Sequence, residues 1–382
     1  HNPKEYNGYK AYWDDGAQVL APHDTAIIDE VNKVTVEDIK FKGNKDLIQI
    51  IGEDVDKVYL DKVHTLSIDP EVIKRQKDLS IVYTPLHGTG NIPVRRMLEG
   101  LDVTVVKEQE LPDGNFSTVR SPNPEEKDAL NIAIEKAKKI GADLVLGTDP
   151  DCDRVGIAVK DGDDYKLFTG NQTGALLVNF VLTMKKDTLN EKSTLVKTIV
   201  TSELGANIGR KFGLKIEETL TGFKYIGDKI NKYEESGKQE FVIGYEESYG
   251  YMLGDYVRDK DAVTASMLLT EMAAWYDAQG MTLFDALNAL YEKYGWYAEK
   301  THNLVMPGLD GLRDMAKLMA DLRDNPPADI SGVKVIVRKD YTDGSVIDCV
   351  TGARSSMELS GSNVLRYELA DGTVILVRPS GT

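Results

Sequence analysis

Apolar and polar positions follow a strand-then-helix rhythm along most of the chain. LSIVYTP (79–85) is an apolar, β-branched run of strand length, and NIPVRRMLEG (91–100) follows it at helical spacing. DVTVVKEQ (102–109) reads as the next strand. NPEEKDALNIAIEKAKKIG (123–141) carries helix signals at both ends: Asn123 as N-cap, Pro124 at the first helical position, Glu126 closing a capping box and Gly141 as the stop. DLVLGTD (143–149) is strand-like again. RVGIAVK and YKLFT flank a turn at Asp161-Gly162, and a helix is predicted from about Thr173 to Met184.

The rhythm then repeats through TLVKTIVTS, ELGANIGRKFG, LKIEETL, YIGDKINKYEESG and FVIGYEE, followed by two apolar-periodic helices within residues 260–295. Alternation at these lengths predicts an α/β protein with two parallel units, at about 55–188 and 189–305. Residues 1–54 read as the remainder of another domain. Asn325-Pro326-Pro327 marks a further joint, and residues 306–382 read as a linker and a smaller α+β domain with an antiparallel sheet. Its clearest signal is VLRYELADGTVILVR, two alternating runs around Asp371-Gly372.

Composition narrows the function. At 382 residues the chain exceeds what one core usually organises, so roughly two to four domains are expected. A formal net charge of −16 makes nucleic acid and anionic membrane poor partners. No run approaches the roughly 18 to 20 apolar residues of a membrane span. Cys152 and Cys349 alone make no disulfide framework, which points to a reducing, cytoplasmic setting. An anionic ligand must therefore find local clusters of Lys, Arg and backbone N–H groups.

The strongest chemical signal is GTDPDCDRVG (147–156), at the end of a buried-looking strand. Asp149, Asp151 and Asp153 stand at alternate positions, which in an extended loop point one way. Three uncompensated carboxylates would repel and raise their own pKa values unless a divalent cation sat among them. All-oxygen ligands favour Mg²⁺ over Zn²⁺. An EF-hand starting at Asp149 fails, because its sixth and twelfth positions hold Arg154 and Lys160. A haloacid-dehalogenase-type loop would carry Thr or Val at position 153. Cys152 is expected to face away from the metal and to pack.

Three weaker stretches join it. In GYEESYG (244–250), Glu246 and Ser248 alternate between glycines and suit a sugar-hydroxyl clamp; a solvated surface Glu is the plainer reading. TLTGFKYIG (219–227) is a glycine-containing strand-to-helix turn with Lys224, suited to a phosphate or a sugar oxygen. RPSGT (378–382) gathers Arg378, Ser380, Gly381 and Thr382 into an anion cradle, or into an ordinary turn after a strand.

HNPKEYNGYK, GTDPDCDR, GYEES and RPSGT, in this order, resemble the α-D-phosphohexomutase family of phosphoglucomutases and phosphomannomutases. YTPLHGTG and TGFKYIG look most like its phosphoglucomutase/phosphopentomutase branch. The resemblance covers essentially the whole chain. It implies a multidomain, heart-shaped enzyme with the active site in its central cleft, and a phosphoserine immediately before His1. On that basis the segment lacks its nucleophile and parts of its first and fourth domains. The resemblance makes Asp149, Asp151 and Asp153 ligands of Mg²⁺, and places His1, Lys10 and Arg154 at the catalytic centre. Thr221, Gly222 and Lys224 fall in the loop that reads substrate orientation, and Glu246 and Ser248 contact sugar hydroxyls. Arg258 of VRDKDA, with Arg378, Ser380, Gly381 and Thr382, would hold phosphate.

The implied reaction interconverts sugar 1-phosphate and 6-phosphate through a sugar 1,6-bisphosphate, with glucose phosphate preferred. Phosphopentomutase and phosphomannomutase are alternatives within the class. A Mg²⁺-dependent phosphosugar phosphatase, or phosphosugar binding without turnover, are alternatives outside it. The sequence does not specify an oligomeric state.

Overall fold

The sequence-distant runs 80–84, 102–105 and 144–148 come together as the parallel centre of one sheet. In the computed structural model, residues 2, 4–5, 8–306 and 308–379 are described; His1, Ser380, Gly381 and Thr382 lie outside the described residues. The chain divides into two units, His1–Tyr297 and Ala298–Thr382. Among the described residues, three α-helices precede the first sheet: His23–Val31 (α1), Glu53–His64 (α2) and Pro70–Arg75 (α3).

Ser80–Thr84 (β1), Asn91–Met97 (α4), Asp102–Val105 (β2), Lys127–Ile140 (α5) and Leu144–Thr148 (β3) form a strand–helix series closed by Val155–Asp161 (β4) and Asp164–Leu167 (β5). The strand order is β2-β1-β3-β4-β5. β1 pairs in parallel with β2 and β3, whereas β4 and β5 are antiparallel. β1 and β3 are buried on both faces, as helix-covered strands require, while β2 at the sheet edge is only partly buried. Val82 and Val145 pack with Leu130, Ala133 and Ile134 of α5. Ile81, Tyr83, Leu144 and Leu146 face the larger core on the other side.

The start of α5 differs from the sequence expectation. The helix begins at Lys127 with Glu126 as N-cap, and no side chain caps it. Asn123 closes a separate turn instead: its side chain accepts from Glu125 N at 3.1 Å, and its carbonyl accepts from Glu126 N at 2.9 Å. Pro124 therefore precedes the helix and packs on β4, where a Cβ on Gly156 would lie 2.7 Å from the Pro124 carbonyl. Gly141 ends α5 in the left-handed conformation, as its position predicts.

After Gly170–Met184 (α6), the second sheet is built from Ser193–Thr198 (β6), Glu203–Lys211 (α7), Lys215–Thr219 (β7), Phe223–Ser236 (α8), Glu240–Tyr245 (β8) and Tyr251–Leu253 (β9). Its order is β7-β6-β8-β9, with β6 parallel to β7 and β8, and β9 antiparallel. Both sheets thus have the predicted parallel centre and add antiparallel strands on one side. The turns leading into β4 and β9 are too short for a parallel crossover. Ala262–Asp277 (α9), almost wholly buried, and Leu283–Tyr294 (α10) complete this unit. Residues of α6, α9 and both sheets share one apolar cluster, which fixes the loops at the ends of β3 and β8 relative to each other.

The second unit is Gly308–Asp324 (α11) against an antiparallel sheet of Asp329–Ile330 (β10), Val333–Asp340 (β11), Ser345–Asp348 (β12), Arg354–Ser356 (β13), Leu365–Leu369 (β14) and Val374–Val377 (β15). The Asp371-Gly372 hairpin falls between β14 and β15. Asn325-Pro326-Pro327 connects α11 to β10 within this unit. No helix among the described residues is long and apolar enough to cross a membrane.

Candidate functional site

Asp149 leaves the buried end of β3 and enters a tight turn. The Cys152 N–H donates to the Asp149 carbonyl at 3.0 Å, and Cys152 takes a φ of +58°. The three carboxylates therefore converge through a turn, rather than through the extended alternation expected from sequence. One ligand oxygen of each of Asp149, Asp151 and Asp153 lies within 4.8 Å of the others. Asp149 Oδ1 accepts from Asp153 N and Arg154 N at 3.1 and 2.9 Å. Asp149 Oδ2 and Asp153 Oδ1 are buried, and no hydrogen-bond donor reaches either. Two buried oxygens without donors, beside a third carboxylate, fit a divalent oxygen-loving cation.

The electrostatics agree. Burial, then the charges of Asp153 and Asp151, push the Asp149 carboxyl well above the usual carboxylate range. Burial also raises Asp151, but its hydrogen bond with Asp149 and the charge of Lys10 outweigh this and lower it. A divalent cation among the three carboxylates would relieve the repulsion between them.

Among the described residues, three side-chain cations ring the turn. Lys10 Nζ stands 3.5 Å from Asp153 and 3.9 Å from Asp151. Arg154 is 15% exposed, with Nε 3.8 Å from Asp153 Oδ1 and a terminal nitrogen 3.1 Å from Glu125. Lys260, with its side chain only 7% exposed, lies 2.9 Å from Asp153 Oδ2 and 3.3 Å from Asp259. Burial alone would lower the Lys260 pKa, but Asp153, Asp259 and Glu246 together raise it. A cavity of about 400 Å³ opens here, lined by Thr89, Asp151, Asp153, Arg258 and Lys260 among others. Cys152 also lines it, while its thiol packs toward Gly90.

Glu246 follows β8 and is 5% exposed. Its Oε1 accepts from Gly222 N at 3.0 Å, joining the two loops singled out for sugar and orientation. Gly222 takes a φ of +121°, which a side chain would strain. The Thr221 hydroxyl beside it is buried without a hydrogen-bond partner. Burial first, then Glu247, pushes Glu246 up to about 7 against the opposing pull of Lys260, Arg154 and the Gly222 N–H. Ser248 is half-buried in the following turn. Lys224, on the first turn of α8, pairs with Asp24 at 3.3 Å.

Arg258 lines the cavity but spends its donors locally. Nε donates to Asn231 at 2.6 Å, and a terminal nitrogen meets Glu234 at 2.6 Å. Arg378 belongs to the second unit, just after β15. The sequence reading missed Lys260 and Glu125. Lys260 stands two residues after Arg258 in the same VRDKDA run, and that alternation was the available signal.

Family models match three segments: phosphoglucomutase/phosphomannomutase alpha/beta/alpha domain I over residues 1–38, domain II over 57–162 and domain III over 169–294. The phosphoglucomutase of Staphylococcus aureus (strain N315) is 36% identical over 391 residues, covering 100% of this chain and 69% of its own length. The chain belongs to this family. The phosphoglucomutase of Staphylococcus haemolyticus (strain JCSC1435) is 35% identical, with 100% of this chain and 70% of that protein covered.

Solved structures share the fold. The Paramecium phosphoglucomutase pp63/parafusin in its open form has a TM-score of 0.56 at 18% identity, over 86% of this chain and 55% of its own. A phosphomannomutase-type protein from Thermus thermophilus gives 0.56 at 19% identity, over 86% and 63%. Family membership makes the chain a sugar-phosphate mutase by class, an isomerase that transfers phosphoryl groups. The acidic turn is the candidate metal centre of that chemistry.

Proposed function

We propose that the protein interconverts glucose 1-phosphate and glucose 6-phosphate through a phosphoserine and a glucose 1,6-bisphosphate, with the phosphoserine immediately N-terminal to His1. The observation that carries the reading is the acidic turn, with its unpartnered buried oxygens and its ring of Lys10, Arg154 and Lys260. The curated relatives are phosphoglucomutases, which favours glucose phosphate over mannose or pentose phosphates.

Asp149, Asp151 and Asp153 would hold Mg²⁺, which when bound supplies charge neutralisation at the transferring phosphoryl group. Arg154 and Lys260 present fixed positive charge around the same position. Lys10, nearly half exposed and within reach of two of the carboxylates, is placed to exchange a proton with the attacking or leaving hydroxyl. Glu246 accepts sugar hydroxyls with Ser248 beside it, while Thr221, Gly222 and Lys224 form the loop it is bonded to. Arg258 borders the same cavity. Arg378, Ser380, Gly381 and Thr382, with His1, complete the assignment as phosphate and catalytic contacts. The division into segments 1–54, 55–188, 189–305 and 306–382, and a cytoplasmic location, belong to the same reading.

The test supplies the protein, including the residue preceding His1, with Mg²⁺, a trace of glucose 1,6-bisphosphate and glucose 1-phosphate, and follows glucose 6-phosphate. Turnover that exceeds mannose and ribose phosphates supports the reading. Steady release of inorganic phosphate without isomer would replace it with a phosphatase.

A further inference from the structure

The loop that leaves β1 contains two non-glycine residues in the left-handed region, Leu86 at a φ of +47° and His87 at +64°. Both are buried. Such a conformation is strained for a side-chain-bearing residue and persists only where the surroundings over-determine it. Here they do. The His87 N–H donates to the Gln109 carbonyl at 2.8 Å. Its ring spans the Leu111 carbonyl, 2.8 Å from Nδ1, and the Thr118 hydroxyl, 2.7 Å from Nε2. A carbonyl only accepts, so Nδ1 carries a proton, and both ring nitrogens are held by fixed partners. Fully buried Gln109 in turn accepts from the Thr84 hydroxyl at 2.7 Å, which ties the turn back to β1.

What this strained turn delivers is contact with the middle of the acidic turn. A Cβ on Gly88 would lie 2.3 Å from the Pro150 Cα and 2.7 Å from its carbonyl oxygen. Thr89 donates to that same carbonyl twice, from its N–H at 2.9 Å and its hydroxyl at 3.0 Å. Pro150 sits between Asp149 and Asp151, and its carbonyl belongs to the peptide that carries Asp151. Two donors on one carbonyl fix the tilt of that peptide, and hence the direction from which the exposed Asp151 side chain starts.

We propose that Gly88 and Thr89, locked in place by His87, are positioning residues that hold Asp149 and Asp151 in metal-binding geometry before the cation arrives. The proposal rests on the metal reading of the acidic turn. Outer-shell partners of metal ligands typically contribute about 10–100-fold in affinity. A ligand set ordered in advance loses less freedom on binding.

The experiment measures Mn²⁺ affinity of the whole chain by the loss of the free-ion paramagnetic resonance signal, with the metal-free melting temperature of each sample. Thr89→Val should weaken Mn²⁺ binding on the order of 10-fold, and Thr89→Ser, which keeps the hydroxyl, should bind like the wild type. Gly88→Ala should weaken it further, towards about 100-fold. A brace that mattered only for folding would lower melting temperatures and leave affinity alone. Thr89→Val and Gly88→Ala binding within about twofold of wild type overturns the brace while the metal site stands. Should Gly88→Ala fail to fold, Thr89→Val decides. Wild type that takes up no Mn²⁺, or Asp151→Asn that binds as wild type does, overturns the metal reading and the brace with it.

Discussion

Lys260 Nζ lies 2.9 Å from Asp153 Oδ2, a buried ammonium against one carboxylate of the acidic turn. The lysine shares Asp153 with any cation held there, so removing it should have two linked effects. Lys260→Met should destabilise the metal-free protein by about 3 kcal/mol, because Asp153 and Asp259 lose their buried counter-charge. Mg²⁺ should restore part of that loss, giving the variant a larger Mg²⁺-dependent rise in melting temperature than the wild type. Equal rises in the two proteins would show that Lys260 and the cation do not compete for the same field.

Asp151 is the most exposed of the three carboxylates, with 54% of its side chain open. Asp151→Asn should therefore leave the fold intact and remove one of the three proposed metal ligands. Mg²⁺-dependent mutase turnover should fall about 100-fold or more. The melting temperature in chelator should change little, because more than half of the Asp151 side chain is exposed. Full activity in this variant would take Asp151 out of the metal centre.

The order of strands and helices was legible from apolar periodicity, and so were the Gly141 stop and the Asp371-Gly372 hairpin, because each rests on a local rule. Strand direction was less so: the run at 154–160 looks the same whether parallel or antiparallel, and only the shortness of the turn before it carries the answer. Asn123 shows the limit of capping rules. An Asn before Pro and Glu suits an N-cap, but it also suits the Asx turn that is formed here. The acidic triplet was visible by composition, yet its convergence comes from a left-handed turn at Cys152 that alternation does not describe. Arg258 and Lys260 were indistinguishable as cations in VRDKDA. Tertiary packing separates them, since Asn231 and Glu234 of α8 occupy the Arg258 guanidinium while Lys260 turns to Asp153.

Glu246 gives a pH prediction. Its carboxyl titrates near 7, raised chiefly by burial, with Glu247 reinforcing the shift and Lys260, Arg154 and the Gly222 N–H opposing it. Above that pH it is a carboxylate, which on the proposed assignment accepts sugar hydroxyls; below it, the added proton removes acceptor capacity. KM for the sugar phosphate should therefore rise as pH falls through about 7 at saturating Mg²⁺. Glu246→Gln should raise KM at neutral pH and flatten this dependence. A KM profile that keeps its inflection in the variant would assign the titration to another group.

In the second unit, Arg323 grips Asp340 with two donors, Nε to Oδ2 at 2.7 Å and a terminal nitrogen to Oδ1 at 3.2 Å. The pair ties α11 to β11, the strand around which the sheet carrying β15 and Arg378 is built. Burial pushes the Asp340 carboxyl up, but Arg323 and the Thr342 N–H outweigh it and hold it below the usual carboxylate range. A depressed pKa means the ion pair stabilises the fold fully above the ordinary carboxylate pKa. That contribution is lost as pH falls through the lower folded value. Arg323→Met should cost about 2 kcal/mol at pH 7, the scale of charged hydrogen bonds in a partly buried setting. The penalty should shrink at acid pH, where wild-type Asp340 is protonated as well. Hydrogen exchange of the β11 and α11 amides in the full chain, at neutral and acid pH, measures both quantities. A penalty of the same size at both would mean that Arg323 acts through its stem or its bonds to Thr342 and Asn363 rather than through Asp340.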